Sequence, residues 1–409
     1  MTRRTRRSAR TGSSRRGGKT NLVLIAVAVV IVVILGGIFA LTGADPLGLF
    51  TKPTPTVEPG ATTSPTLAAL PTGSSGGGGD WWEVYFTEPH TINDPNNWRG
   101  SIEDKLIQYI QSAQHTIHIA AFEFNLTPVA EALIAAKGRG VEVQWITDDE
   151  NGIQADSEPG HGQFAMLQDA GIEVHDDGRS ALMHDKFFIF DGQILWTGAT
   201  NITVNGIFEN NNNVIVFHSP EVAAMFEREF ADMWAGQFNA RAPSTIDEQS
   251  VTIEGTPIQV LFSPEDEAVS HIVPILQGAQ RSIRFMAFSF THDDLGNAVL
   301  ERAQAGVDVM GVFETRGSET SDSELGKLFC AGVPVRQDGN PSTYHHKVFV
   351  VDDEIVITGS LNFSRNADEN NSENVVIVRN RDIAALYLQE FERTWAEATA
   401  PDAADLTCP

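Results

Sequence analysis

His184-Asp185-Lys186-Phe187-Phe188-Ile189-Phe190-Asp191 and His345-His346-Lys347-Val348-Phe349-Val350-Val351-Asp352 lie 161 residues apart in this 409-residue chain. Both stretches continue alike. After six intervening residues comes a glycine, Gly198 or Gly359, and three positions further an asparagine, Asn201 or Asn362. The apolar run inside each copy is unbroken, as in strands buried on both faces. An isolated His-x-Lys pair would be an ordinary surface strand. An eighteen-residue spacing kept twice, glycine and asparagine included, argues against that.

The repeat reaches well beyond these stretches. Residues 116–124 match 282–290 at an offset of 166, and Gly140-Val141-Glu142-Val143 matches Gly306-Val307-Asp308-Val309 at the same offset. From Gly171 and Gly332 onward the offset is 161, so the first copy carries five additional residues between Thr147 and Gly171. A repeat this long means two fused domains, because solenoid units run to ~20–50 residues. Each copy alternates amphipathic helical patterns (Leu106, Ile107, Ile110, Ala113; Ile272, Ile275, Leu276, Ala279) with apolar strands at 117–124 and 141–147, or 283–290 and 307–314. A last helix is expected near 220–234 and 382–395. Alternation of this kind predicts an α/β class, as two similar α/β/α sandwich lobes related by a pseudo-twofold axis.

Strand alternation places His184 with Lys186, and His345 with Lys347, on one face. His346 alternates to the opposite face and reads as structural. A lysine opening a buried strand needs an anionic partner or a solvated cleft. Two His, two Lys and two Asn in matched positions suit the holding and attack of a phosphodiester. Asp191 and Asp352 fall at the far end of their strands, ~16 Å from the His at ~3.3 Å per residue. They read as turn residues accepting N–H groups, rather than as catalytic carboxylates.

Paired H-x-K-x-x-x-x-D motifs of this kind resemble those of the phospholipase D superfamily. The similarity runs from about Trp81 to Ala398. It is strongest to the small bacterial endonuclease-like branch, whose members carry one motif and pair two subunits; residues 282–396, with Gly359-Ser360-Leu361-Asn362 and Asn371-Ser372-Glu373-Asn374, look like one such unit. The resemblance implies nucleophilic attack by one His to form a phosphohistidine, proton transfer by the other, and phosphate binding by Lys186, Lys347, Asn201 and Asn362, with no cofactor and no metal. It also implies that an acid or amide beyond each motif supports the imidazole of the other copy. Glu373 would then serve His184 and Asn212 would serve His345. A carboxylate makes an imidazole more basic than an amide does. His184 is therefore expected as nucleophile and His345 as general acid, with Glu209 a possible substitute for Asn212. One departure is Ala199 where the second copy has Ser360, which removes a hydroxyl expected beside the phosphate; Thr200 is a candidate replacement.

The first twenty residues carry eight Arg or Lys and no acid, and an uncharged apolar run follows at 22–41. About 20 apolar residues cross a ~30 Å hydrocarbon core. The basic flank predicts a cytoplasmic N-terminus (1–20), a transmembrane helix (21–42) and an extracytoplasmic remainder. A signal peptide cleaved near Thr42-Gly43-Ala44 is the alternative. Residues 43–80, rich in Pro, Thr, Gly and Ser, read as a disordered linker. Lobes are expected at 81–245 and 246–398, with a tail at 399–409. Both motifs in one chain suggest a monomer. The two cysteines, Cys330 and Cys408, are open to bridging in an exported protein, or to remaining free thiols. No metal-ligand spacing is present.

Net charge is −26, and −34 without the first twenty residues. That disfavours unguided binding of nucleic acid, whose nonspecific affinity comes from neutralised phosphates. The leading expectation is a membrane-tethered hydrolase of phospholipid headgroup diesters. A nuclease with a basic cleft is the alternative, followed by a phosphatidyl transferase of the cardiolipin synthase kind and a non-catalytic lipid-binding module.

Overall fold

The structure, a computed structural model, describes residues 75–239 and 246–408. The expected basic segment, the transmembrane helix and most of the linker lie outside those residues. Among the described residues no helix is long and apolar enough to cross a membrane.

The first lobe runs β1 (Gly76–Gly78), β2 (Trp82–Phe86), α1 (Ile102–Ser112), β3 (Thr116–Ala121), α2 (Thr127–Gly138), β4 (Glu142–Thr147), α3 (Gln163–Asp169), β5 (Glu173–Asp176), β6 (Lys186–Phe190), β7 (Ile194–Gly198), β8 (Asn213–His218) and α4 (Pro220–Trp234). The second runs β9 (Ser250–Ile253), β10 (Thr256–Ser263), α5 (Ala268–Gln277), β11 (Ser282–Ala287), α6 (Asp293–Gln304), β12 (Asp308–Phe313), α7 (Glu324–Cys330), β13 (Val335–Gln337), β14 (Lys347–Val351), β15 (Ile355–Gly359), α8 (Arg365–Glu369), β16 (Glu373–Arg379) and α9 (Arg381–Glu397). Each lobe holds one eight-stranded mixed sheet. The orders β1-β2-β8-β7-β6-β3-β4-β5 and β9-β10-β16-β15-β14-β11-β12-β13 are the same topology written twice. The strands β3, β4 and β5 run parallel, as do β11, β12 and β13, and the other pairs are antiparallel.

The motif strands β6 and β14 are buried at every position, as their unbroken apolar runs require. On the outer faces, helices α1–α3 and α5–α7 close two separate cores. The inner faces share a third core, in which α4 and α9 lie between the sheets. Helix α4 starts on a Ser219 N-cap followed by proline, and turns Val222, Phe226, Phe230 and Met233 inward. Its Phe226 meets Phe262 of the second lobe edge-on at 5.1 Å, while Tyr387 of α9 meets Phe86 of the first at 5.2 Å. Each lobe's last helix thus packs against both sheets. Truncating such a ring costs ~3–5 kcal/mol.

Two details differ from the expectations, and a third decides between two readings left open. Gly76–Gly78 is not linker but an edge strand paired with β2. A Cβ at Gly76 would meet the Val84 carbonyl oxygen at 2.1 Å, so glycine alone fits that approach. Asp191 and Asp352 do accept N–H groups, but not those of their own turns. Asp191 takes the amides of Gln114, His115 and Thr116 at the entry to β3, and Asp352 takes those of Gln280, Arg281 and Ser282 at the entry to β11. Finally, Cys330 and Cys408 form a disulfide, with a Cα–Cα distance of 5.6 Å. It fixes the tail to the end of α7, and Thr399 pairs with Gln337 ahead of it.

Candidate active site

The two motif histidines stand just ahead of β6 and β14, not within them, in segments that pair across the lobes. His184 N–H donates to Ser372 O at 2.9 Å, and Ser372 N–H returns to Leu182 O at 2.8 Å. His345 N–H donates to Asn211 O, and Asn211 N–H to Thr343 O, both at 2.9 Å. The polar clusters at 210–213 and 371–374 therefore form the opposite wall of each other's histidine. The motif glycines make this possible. A Cβ at Gly198 would meet Asn213 O at 2.4 Å, and one at Gly359 would meet Asn374 O at 2.2 Å, both at strongly positive φ.

His184 Nδ1 lies 2.8 Å from Glu373 Oε2. His345 Nδ1 lies 3.0 Å from Asn212 Oδ1 and 3.1 Å from Ala199 O. The Asn212 amide is oriented by its own Nδ2, which donates to Gly206 O at 2.8 Å. Both contacts occupy Nδ1 and leave Nε2 for the reacting centre. Glu209 is exposed and takes no part at His345. Ser360 does not stand free beside a phosphate: its hydroxyl donates to Glu373 Oε2 at 2.7 Å. Thr200 is no replacement at the other copy, since it donates to Asn213 O at 2.9 Å. The Ser360/Glu373 and Ala199/Asn212 differences thus go together. A carboxylate needs the extra donor, and an amide already satisfied by Gly206 does not.

Lys186 and Lys347 are 2% and 1% exposed. Each ammonium donates to the carbonyl of its own motif histidine and sits 4.9 Å above an aromatic ring, Phe122 or Phe288. Those rings also touch His184 and His345, at 4.8 and 4.9 Å between centroids. Each imidazole is pushed well below its ordinary value by burial first, then by both lysines. The two motifs therefore lie close enough for each lysine to act electrostatically on both imidazoles. Burial lowers Lys186 to about 8 against the pull of Glu373 and Glu123, and raises Glu373 to about 7. Burial thus favours the neutral form of both Glu373 and His184. Asn201 and Asn362 each carry a buried Oδ1 with no protein partner.

His346 is structural, as expected: its ring bridges Asn213 at 2.9 Å and Glu390 at 3.0 Å. Sequence reasoning missed Phe122 and Phe288, and also two acids at the ends of β4 and β12. Asp148 accepts the N–H of Met183 at 3.2 Å, and Glu314 that of Tyr344 at 2.5 Å. Each thereby holds the residue ahead of a motif histidine. Their match at the offset of 166 was the available signal. Among the described residues, Asp148, Asp149 and Asp177 bring carboxylate oxygens within 4.8 Å of one another. Backbone N–H groups and Arg179 engage Asp148 and Asp177.

Comparison with known proteins agrees with this duplication. The family described as "Cardiolipin synthase, PLD-like domain" matches residues 106–234 and again 272–395. A mitochondrial cardiolipin hydrolase of Xenopus tropicalis is 41% identical over 132 residues, which is 32% of this chain and 63% of that protein. A phospholipase D of Rickettsia prowazekii is 31% identical over 134 residues, 33% of this chain and 65% of that one. The chain thus spans less than two-thirds of the length of these relatives. The crystal structure of a Haemophilus influenzae phosphatidylserine synthase shares the fold at a TM-score of 0.58 and 13% identity, covering 78% of this chain and 87% of that one. Two family matches, one over each half of a twofold fold whose motifs meet at one centre, make this chain a member of the phospholipase D superfamily.

Proposed function

We propose that this chain is a phospholipase D-type phosphodiesterase that hydrolyses phospholipid headgroup diesters through a phosphohistidine. The observation that carries the reading is the crosswise support of the two imidazoles: Glu373 on His184, and Asn212 on His345. His184 Nε2 attacks phosphorus while the bond to the leaving alcohol breaks, and protonated His345 gives its Nε2 proton to that oxygen. His345 then accepts a proton from water as the water oxygen attacks phosphorus, and the P–N bond breaks. Burial and both lysines keep His345 neutral in the empty site. The negative charge of a bound diester raises it toward protonation. Lys186, Lys347, Asn201 and Asn362 hold the nonbridging oxygens, where charge develops. Ser360 supports Glu373 through its hydroxyl, while Asp191 and Asp352 support the fold by fixing the entries to β3 and β11.

Lipid is favoured over nucleic acid by the net charge of −26 and by relatives named cardiolipin hydrolase and phospholipase D. The basic, apolar N-terminal segment supports a membrane anchor with the lobes outside the cytoplasm, and the Cys330–Cys408 bridge is consistent with that compartment. The test is incubation of the purified chain with cardiolipin or phosphatidylcholine vesicles and, separately, with single-stranded DNA. Headgroup release with intact DNA supports the reading. DNA cleavage that fades steeply with salt, with lipids untouched, overturns it in favour of a nuclease.

A further inference from the structure

The twofold symmetry breaks beside the phosphate-binding asparagines. In the first lobe Glu123, two residues beyond β3, accepts a hydrogen bond from Asn201 Nδ2 at 3.1 Å. The corresponding residue of the second lobe is Ser289, and no carboxylate hydrogen-bonds Asn362 among the described residues. Glu123 is half-buried, and the Asn201 bond engages its Oε2, leaving Oε1 open to a further donor. Burial pushes its carboxyl up, while Lys186 and His161 pull it down. His161 lies on the segment where the first copy carries its five additional residues, and its Nδ1 is buried without a partner.

A carboxylate beside a phosphodiester is repelled by it, more strongly in a buried site than in water. Orienting Asn201 does not require that charge, because a glutamine or serine oxygen accepts the same bond. A donor on the substrate changes the balance. It satisfies Oε1 and turns a repulsive neighbour into a charge-assisted hydrogen bond. Since Asn201 bridges Glu123 and the phosphate position, such a donor belongs on the organic group close to phosphorus.

We propose that Glu123 is a specificity-determining residue that accepts a hydrogen bond from a hydroxyl or ammonium group on the diester's headgroup. The assignment rests on the hydrolase reading above. Glycerol- and ethanolamine-type headgroups supply the donor, and a methyl ester does not. Sites built to pair a substrate donor discriminate strongly against analogues that lack it.

The experiment measures kcat/KM of the full chain in mixed micelles for phosphatidylglycerol, phosphatidylethanolamine and phosphatidylmethanol, with bis(4-nitrophenyl) phosphate as a generic diester. The wild type should prefer one donor-bearing lipid over phosphatidylmethanol by about tenfold or more. Glu123→Ser, the residue carried by the other lobe, should collapse that ratio to within about threefold. Glu123→Gln separates the two donors: a preference for phosphatidylglycerol that survives it identifies a hydroxyl, and a preference for phosphatidylethanolamine that it abolishes identifies an ammonium. An equal loss on all three lipids in Glu123→Ser, with the ratio intact, overturns the proposal and leaves Glu123 as a positioning residue for Asn201. If the wild type turns over none of these, the generic diester included, the hydrolase reading itself falls and this assignment with it.

Discussion

Glu373 and His184 stand 189 positions apart, on different lobes, and meet at 2.8 Å with both side chains buried. His345 receives only a neutral amide at the equivalent place. The proposed division of roles, His184 as nucleophile and His345 as general acid, rests on this difference. Replacing Glu373 with Gln should lower kcat on a phospholipid by about 10²–10³, within the range of removing a general acid–base partner. Asn212→Ala should cost less, about tenfold, because Ala199 O still accepts from the same Nδ1. Comparable losses in single-turnover measurements would remove the argument for His184 as nucleophile.

In the proposed mechanism His345 protonates the leaving oxygen and later activates water, so the first step needs it only when that oxygen needs a proton. His345→Ala should therefore block phospholipid cleavage, yet form a covalent phosphoenzyme on His184 with a 4-nitrophenyl diester. His184→Ala should form none. Intact-mass spectrometry after acid-free quenching reads both results, and an adduct in His184→Ala alone reverses the roles.

For a 4-nitrophenyl diester, whose leaving oxygen needs no proton from His345, the acid–base behaviour of the empty site sets the pH profile of kcat/KM. Burial raises Glu373 to about 7, and its ionised form makes His184 the better nucleophile, so the rate should rise with pH through about 7. Burial lowers Lys186 to about 8, and loss of its charge removes a phosphate clamp, so the rate should fall above about 8. Glu373→Gln should abolish the acid limb. Lys186→Arg should move the alkaline limb out of range, since guanidinium stays charged. A profile flat from pH 6 to 9 in the wild type contradicts both assignments.

Much of this site was legible because the chain states it twice. The duplicated spacing specified two lobes, one shared centre and the His, Lys and Asn positions, and the polar clusters at offset 161 suggested the crosswise pairing. What stayed hidden follows from where the strands stop. β3 ends at Ala121, so Phe122 and Glu123 leave the period-two alternation, and nothing in an Ala-Phe-Glu-Phe run shows that the first ring lies under a lysine. Asp148 was passed over, because its partner is a backbone N–H, which no side-chain pattern marks. Ser360 was visible as a hydroxyl, but its direction, toward Glu373, depends on a contact between residues thirteen apart.

Asp191 and Asp352 should act on stability rather than chemistry. Burial opposes ionisation of Asp352, yet the three N–H groups from Gln280, Arg281 and Ser282, aided by the Arg281 charge, hold it below the usual carboxylate range. A depressed carboxyl contributes stability that is present above its unfolded value and lost as pH falls through the folded one. Asp352→Asn should therefore destabilise the fold by about 1 kcal/mol at pH 7, a figure discounted for the solvent screening of this partly exposed carboxylate, with the penalty shrinking below pH ~4. Urea denaturation at both pH values checks this, and an unchanged midpoint at pH 7 would show that these bonds do not hold β11 in place.

The bridge between Cys330 and Cys408 closes a loop of 78 residues that contains β14, β15, β16 and α9, and with them His345 and Glu373. Loop-closure entropy for that length predicts about 4 kcal/mol, most of it through the unfolded chain. The paired Cys330→Ser and Cys408→Ser variant should unfold at lower denaturant and release the tail beyond Thr399 to proteases. Its folded fraction should retain turnover, because neither cysteine touches the motif residues. Reducing the wild type with dithiothreitol should reproduce the shift, and leave the double variant unmoved. If reduction changes neither midpoint nor tail cleavage, the pairing of Thr399 with Gln337 alone is enough to hold the C-terminus, and oxidation contributes nothing to the stability of the second lobe.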